Sequence, residues 1–222
     1  MHLQKSKKII IYFFIFLIIG SLNNRNLNKL NLINLVEINA TGLNEENTKQ
    51  LIDKLDFIKD KNLLFLNRTK IIEIINYNPL IETYSVFKRY PSTLDININK
   101  TQFLAQIKKG NNFVLLGSNG KLIKSKDESE NIPFIFGEFE IQNFFELKKL
   151  IDETNFNFQD IKNLFYFKSG RWDIETKNGL LIRLPRENTN KSFQLLIKFL
   201  NNNKNQIKEL DLRQKNQIVI NE

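Results

Sequence analysis

The side chains with the clearest chemical capacity in this 222-residue sequence are two arginines and a stretch of backbone near the end. Arg171 opens the stretch Arg-Trp-Asp-Ile-Glu-Thr, and Arg213 closes Leu-Asp-Leu-Arg. Apolar and polar residues alternate in both, which gives each arginine the outward parity of a strand. A guanidinium so placed offers a planar fork of N–H donors that matches a carboxylate. The final segment, Gln217-Ile218-Val219-Ile220, has a different capacity. Three consecutive apolar residues predict a strand covered on both faces. A strand whose second hydrogen-bonding side is free can take on a further strand. Gln214 lies in the polar bend between Arg213 and this segment. These groups are suited to recognition.

Bond-breaking chemistry has few candidates. The chain has no Cys, and its one His is His2. That excludes a Cys nucleophile, a Cys/His zinc site and a Ser-His-Asp triad. It also excludes a disulfide and a lipid-modified cysteine anchor. No catalytic residue, cofactor or metal is expected. The remaining enzymatic route is a carboxylate pair, as in an exported, membrane-anchored cell-wall enzyme; no Asp or Glu stands in a Gly-rich loop or polar cluster to support it. The net charge is +9. Its lysines and arginines are scattered among acids, with no basic run interleaved with aromatics, so no nucleic-acid partner is expected.

These groups must be positioned by elements that the sequence also indicates. Residues 9–22 carry no charge and follow Lys5, Lys7 and Lys8. This predicts a cytoplasmic tail at 1–8, a transmembrane signal anchor at 9–22 that contacts the lipid bilayer, and an exported remainder. At about 1.5 Å per residue the run spans only ~21 Å of a ~30 Å hydrocarbon layer. The only alanines are Ala40 and Ala105, so a small-residue cleavage site is missing and the anchor is expected to stay uncleaved. Residues 23–32 are an Asn-rich tether. A β-α-α-β-β unit is predicted over 33–101, with strands at 32–38, 81–88 and 93–98, and with Asn44 and Asn67 as helix N-caps. Residues 102–222 predict a mostly antiparallel β domain with helices at 142–153 and 188–203. Asn119-Gly120 and Asn178-Gly179 read as hairpin turns with both positions at positive φ. Trp172 is placed on an inner strand face. The fold class is thus α+β, with one N-terminal transmembrane helix and two exported domains.

Three stretches carry a resemblance to a known family: "INATGLNEENTKQLIDKL", "NPLIETYSVFKRYPSTLDINI", and "GRWDIETKNGLLIRLP" followed one helix later by "IKELDLR". In this order they resemble the FtsQ/DivIB family of bacterial cell-division proteins. The family's fold is a short cytoplasmic tail, one membrane helix, a POTRA domain and a β domain. Its acidic-basic-x-Pro segment after the POTRA domain is replaced here by Asn99, Lys100, Thr101 and Gln102. The resemblance implies a non-enzymatic divisome scaffold of the inner membrane at the division septum, its bulk in the periplasm. It implies FtsB-like and FtsL-like partners, a partner strand added to the last strand, and a partner carboxylate for Arg171 and Arg213. Gln214 stands where relatives can carry an aromatic contact residue. Gln217, Ile218, Val219 and Ile220 would form the binding edge. Lys88, Arg89 and Tyr90 would recruit other division proteins to the POTRA domain.

Overall fold

The structure, a computed structural model, describes residues 3–22, 33–202 and 207–221. The tether at 23–32, His2 and residue 203 of the expected last helix lie outside the described residues. The chain divides into two units, residues 1–100 and 101–222.

Helix α1 (Leu3–Leu22) is continuous over 20 residues. From Ile9 to Ile19 its large apolar side chains are exposed all the way round. Among the described residues, no helix is long and apolar enough to cross a membrane. The expected span at 9–22 is therefore not met by a helix of spanning length, because lysines occupy the first part of α1 and leave a short uncharged run.

The first unit places β1 (Glu37–Thr41), α2 (Glu45–Leu55), α3 (Arg68–Tyr77), β2 (Ile81–Arg89) and β3 (Thr93–Lys100) in the expected β-α-α-β-β order. β3 is central, parallel to β1 and antiparallel to β2. Asn44 Oδ1 accepts from the Asn47 amide at 3.1 Å, and Asn67 Oδ1 from the Thr69 amide at 3.0 Å, so both helices start at a satisfied cap. Leu51 and Leu55 of α2 and Ile71 and Ile75 of α3 recur at i, i+4 and pack on Ile38, Leu94 and Ile96. The first strand begins later than expected. The amide of Leu35 donates to Lys61 O, and those of Val36 and Glu37 donate to Ser92 O, so residues 35–36 are bound to loops before sheet pairing starts. Gly42 turns the chain at φ +101°; a Cβ there would lie 1.8 Å from Ile98 O.

The second unit is one sheet with two helices in its core. Its strands are β4 (Phe103–Lys109), β5 (Asn112–Gly117), β6 (Leu122–Ser125), β7 (Phe134–Phe136), β8 (Ile161–Tyr166), β9 (Trp172–Thr176), β10 (Leu181–Arg183), β11 (Glu209–Asp211) and β12 (Val219–Asn221). The order across the sheet is β12-β11-β10-β9-β8-β7-β4-β5-β6. Five of the eight joints are antiparallel; β4–β7, β7–β8 and β10–β11 are parallel. α4 (Ile141–Asp152) and α5 (Thr189–Asn202) bury Phe144, Leu147, Phe193 and Leu196 among Leu164, Ile174, Ile182 and Leu210 of the sheet. Trp172 packs between Tyr166 and Phe139, with ring centroids 4.7 and 5.8 Å away. Two local expectations are corrected. Only the glycines of the two Asn-Gly turns have positive φ, Gly120 at +74° and Gly179 at +87°, so these are not the double-positive turns expected. And β9 buries one residue of its outer face, Asp173, beneath Arg171, while Glu175 on that face is half-exposed.

Gly137 repeats the constraint of Gly42 in the second unit: φ is +100°, and a Cβ would lie 2.1 Å from Tyr166 O. Substituting either by Ala is expected to cost about 2–4 kcal/mol, since backbone must move on top of the φ strain. Trp172 is the only Trp and reports the second unit. In urea, Gly137→Ala should lower the midpoint of the Trp emission transition. Gly42→Ala should leave it in place and lower a separate circular-dichroism transition. Equal shifts of the Trp midpoint in both variants would show that the two cores unfold together.

Candidate functional site

β12 ends the sheet. Glu209 pairs with Asn221, Leu210 with Ile220 and Asp211 with Val219, and no described strand pairs with its other side. Asn216 at φ +57° makes the bend that brings it antiparallel to β11. Val219 and Ile220 are 39% and 43% exposed. Ile218 differs: it precedes the strand and packs against the core. The run expected to be uniform is thus one core residue followed by two exposed ones. Gln214 and Gln217 are exposed in the bend.

The outer face beside this edge carries a line of charges in register. Asp173 pairs with Arg183 across β9–β10, Arg183 with Asp211 across β10–β11, and Asp211 with Val219. Arg171 and Arg213 flank the line. Neither is a strand residue with a free guanidinium, as parity had predicted; each sits just outside its strand and turns back onto the carboxylate two residues earlier or later. Arg171 Nε donates to Asp173 Oδ1 at 3.2 Å, and its guanidinium lies 4.3 Å from the Phe167 ring centre. Arg213 Nε donates to Asp211 at 2.9 Å, while the Arg213 amide donates to the same carboxylate. Arg183 Nε lies 2.7 Å from Glu209 Oε1, but no acceptor is in line with its buried N–H.

The two aspartates respond oppositely. Burial pushes the Asp173 carboxyl above the ordinary value, against the pull of Arg171. The Arg213 fork holds Asp211 below it, with burial opposing. Asp173 therefore carries a desolvation cost when ionised, whereas Asp211 is ionised in a favourable pair.

Between the 185–188 loop, the start of α5 and the 212–216 bend lies an open cavity of about 960 Å³. Arg171, Arg186, Lys191, Lys198, Arg213 and Lys215 line it, with Glu187 as the one acid. Sequence reading missed this basic groove and the Arg183–Glu209 link, since both depend on segments brought together by the fold. The two arginine–aspartate pairs were within reach, because i, i+2 residues share a strand face. The POTRA-type residues lie elsewhere, in the first unit. Lys88 Nζ donates to Leu64 O at 3.0 Å, Arg89 Nε lies 3.1 Å from Asp95 Oδ2, and Tyr90 is exposed. No group of three or more metal-ligating side chains occurs among the described residues.

Comparison with known proteins matches this architecture in both units. Residues 33–100 match the model of the FtsQ-type POTRA domain, and residues 105–213 match that of the C-terminal region of cell division protein FtsQ/DivIB. The match stops at Arg213, so the bend and β12 lie beyond it. The chain is 30% identical over 133 residues to cell division protein DivIB of Clostridium botulinum (strain Hall), covering 60% of this chain and 51% of the relative. It is 29% identical over 107 residues to DivIB of Clostridium acetobutylicum, covering 48% and 43%. The chain thus spans about half the length of these curated relatives or less. A solved structure of the major extracytoplasmic domain of DivIB from Geobacillus stearothermophilus aligns with 14% identity and a TM-score of 0.33, covering 47% of this chain and 98% of that one. With both halves matched in order, the chain belongs to the FtsQ/DivIB family of cell-division proteins.

Proposed function

We propose that this chain is a non-enzymatic divisome scaffold whose β12 edge receives a strand from an FtsB-like or FtsL-like partner. The observation that carries this reading is the position of β12: the last strand of a nine-stranded sheet, paired on one side, with Val219 and Ile220 exposed. Strand addition to such an edge supplies backbone bonds, and side chains on either face supply selectivity. Arg171 and Arg213 adjoin that edge, and the basic groove continues from Arg213 toward α5. An acidic partner segment would meet them with matched charge. Gln214 replaces an aromatic anchor with a polar one, which moves the weight of the contact toward these arginines.

The scaffold is held at the cytoplasmic membrane by α1, with the N-terminus cytoplasmic, and acts at the septum. Support comes from the exposed, uncharged turn-after-turn surface of Ile9–Ile19 and the lysines before it. A helix apolar on all sides is stable only in a membrane or a core. Lysines that snorkel and a bilayer that thins locally accommodate its short length. Lys88, Arg89 and Tyr90 offer a second recruitment surface on the POTRA domain.

Deleting residues 216–222 is expected to abolish capture of FtsB-like and FtsL-like proteins in a pull-down, with the Trp172 emission transition retained. Full-strength capture by the folded, truncated protein would remove the edge from the mechanism. Arg213→Glu should weaken partner binding by about tenfold or more, or ~1.4 kcal/mol, since it sets like charge against an acidic partner; calorimetric titration measures this, and unchanged affinity would assign Arg213 to the Asp211 pair alone. In dividing cells, a fluorescent fusion should collect at the septum. The Val219→Lys/Ile220→Lys variant should leave the FtsB-like partner dispersed, whereas uniform membrane signal from the unmodified protein would end the division role.

A further inference from the structure

At one end of the first unit, three chain segments are tied together. The Leu63 amide donates to Ile33 O at 2.8 Å, and the Leu35 amide to Lys61 O at 2.9 Å. The Val36 amide donates to Ser92 O at 2.8 Å, and Lys88 Nζ to Leu64 O at 3.0 Å. The surface they form carries Phe65, Val36, Tyr90 and Leu64, which are 73%, 69%, 53% and 47% exposed. Leu63 and Leu66 on either side of the Leu64–Phe65 tip are buried, so the core clamps the loop while its tip holds two apolar side chains outward. Exposed apolar groups gathered on a fixed frame mark a contact surface.

Chain connectivity indicates what this surface meets. Ile33 follows α1 after ten residues, 23–32. Eleven Cα steps of at most about 3.6 Å limit the separation of Leu22 and Ile33 to ~40 Å. The end bearing the patch is therefore the end tethered to the apolar helix. Tyr77, at the far end of α3 from this loop, lies at the opposite end of the unit. We infer that this end of the first unit docks on the surface of the bilayer that α1 enters, with Leu64 and Phe65 in the headgroup boundary and Tyr90 at its level. The inference rests on the membrane reading of α1. With α1 in the bilayer, the short tether keeps this end at a high effective concentration near the same surface, so a modest apolar contact suffices to dock it. Aromatic side chains favour the interfacial level. The cations beside them suit the headgroup layer: Lys61 lies 5.2 Å from the Phe57 ring centre, and Lys88 caps the loop through Leu64 O.

The absence of cysteine makes the test direct. Full-length Phe65→Cys and Tyr77→Cys variants are labelled with a nitroxide and reconstituted into phosphatidylcholine–phosphatidylglycerol vesicles. Flotation reports attachment, and collision with oxygen against a water-soluble nickel chelate reports depth. The oxygen-to-nickel ratio is expected to be about twofold or more higher at position 65 than at 77, as interfacial depth requires. Equal, water-like ratios on floating vesicles would overturn the docking and leave the anchor intact. Vesicles that fail to carry the chain would overturn both. Shielding at position 65 that arises only when the FtsB-like partner is added would assign the surface to protein and overturn the lipid contact.

Discussion

A β-strand has two hydrogen-bonding sides, and among the described residues β12 is paired on only one of them. The rest of the second unit can be understood from that constraint. Leu210 is fully buried at the centre of β11, and with Leu212 it fixes β11 in the core beneath α5. Its register then fixes Ile220 opposite Leu210 and Val219 opposite Asp211. The core therefore sets where the edge lies and which residues it presents. β6 finishes the other end of the strand run as a second edge, paired with β5 over four positions from Phe113 to Leu116.

The charges on the outer face follow from the same register. A sheet face without helices over it must end in groups that water or a neighbour can satisfy. Here the row from Asp173 through Arg183 to Asp211 is charged, and its ion pairs run to Arg171, Glu209 and Arg213. Burial raises Asp173 at its interior end, whereas at its edge end the Arg213 hydrogen bonds keep Asp211 ionised. An incoming carboxylate would find Arg213 already oriented and already cationic. It would have to share or displace Asp211, which limits the gain to the difference between two similar pairs. Exposed pairs are generally worth under about 1 kcal/mol, so exchange at Arg213 is cheap in both directions.

Much of this was legible in order along the chain. Asn44 and Asn67 announced their helices by side-chain chemistry, and the alternation in Thr93–Ile98 announced β3, because both signals are local. The site was legible only in part. Arg171 and Arg213 were found by parity, but their aspartate partners, two residues away, were overlooked as partners. The start of β1 was misplaced since Leu35 and Val36 look like strand residues, yet their amides are claimed by Lys61 and Ser92 from distant segments. The Arg183–Glu209 ion pair depends on a parallel joint between β10 and β11 made after α5 crosses back, so no local pattern encodes it. The basic groove is hidden for the same reason: its cations come from four separate stretches.

The shortness of β12 decides how a partner could be held there. Three residues offer roughly two to four further backbone bonds, each worth about 1 kcal/mol net. Association costs at least ~4 kcal/mol in lost freedom, so backbone pairing alone leaves little surplus. That margin protects the protein in isolation, because a short edge with exposed polar neighbours is a poor template for copies of itself. It also means that selectivity must reside beside the strand. Val219 and Ile220 add apolar area on opposite faces, and the cations from Arg213 to Lys198 add a field of one sign. A partner that combined a strand with an acidic flank would engage both, whereas a strand without the flank would engage only the weaker. On the proposed strand addition, the edge would supply register and the groove the choice of partner.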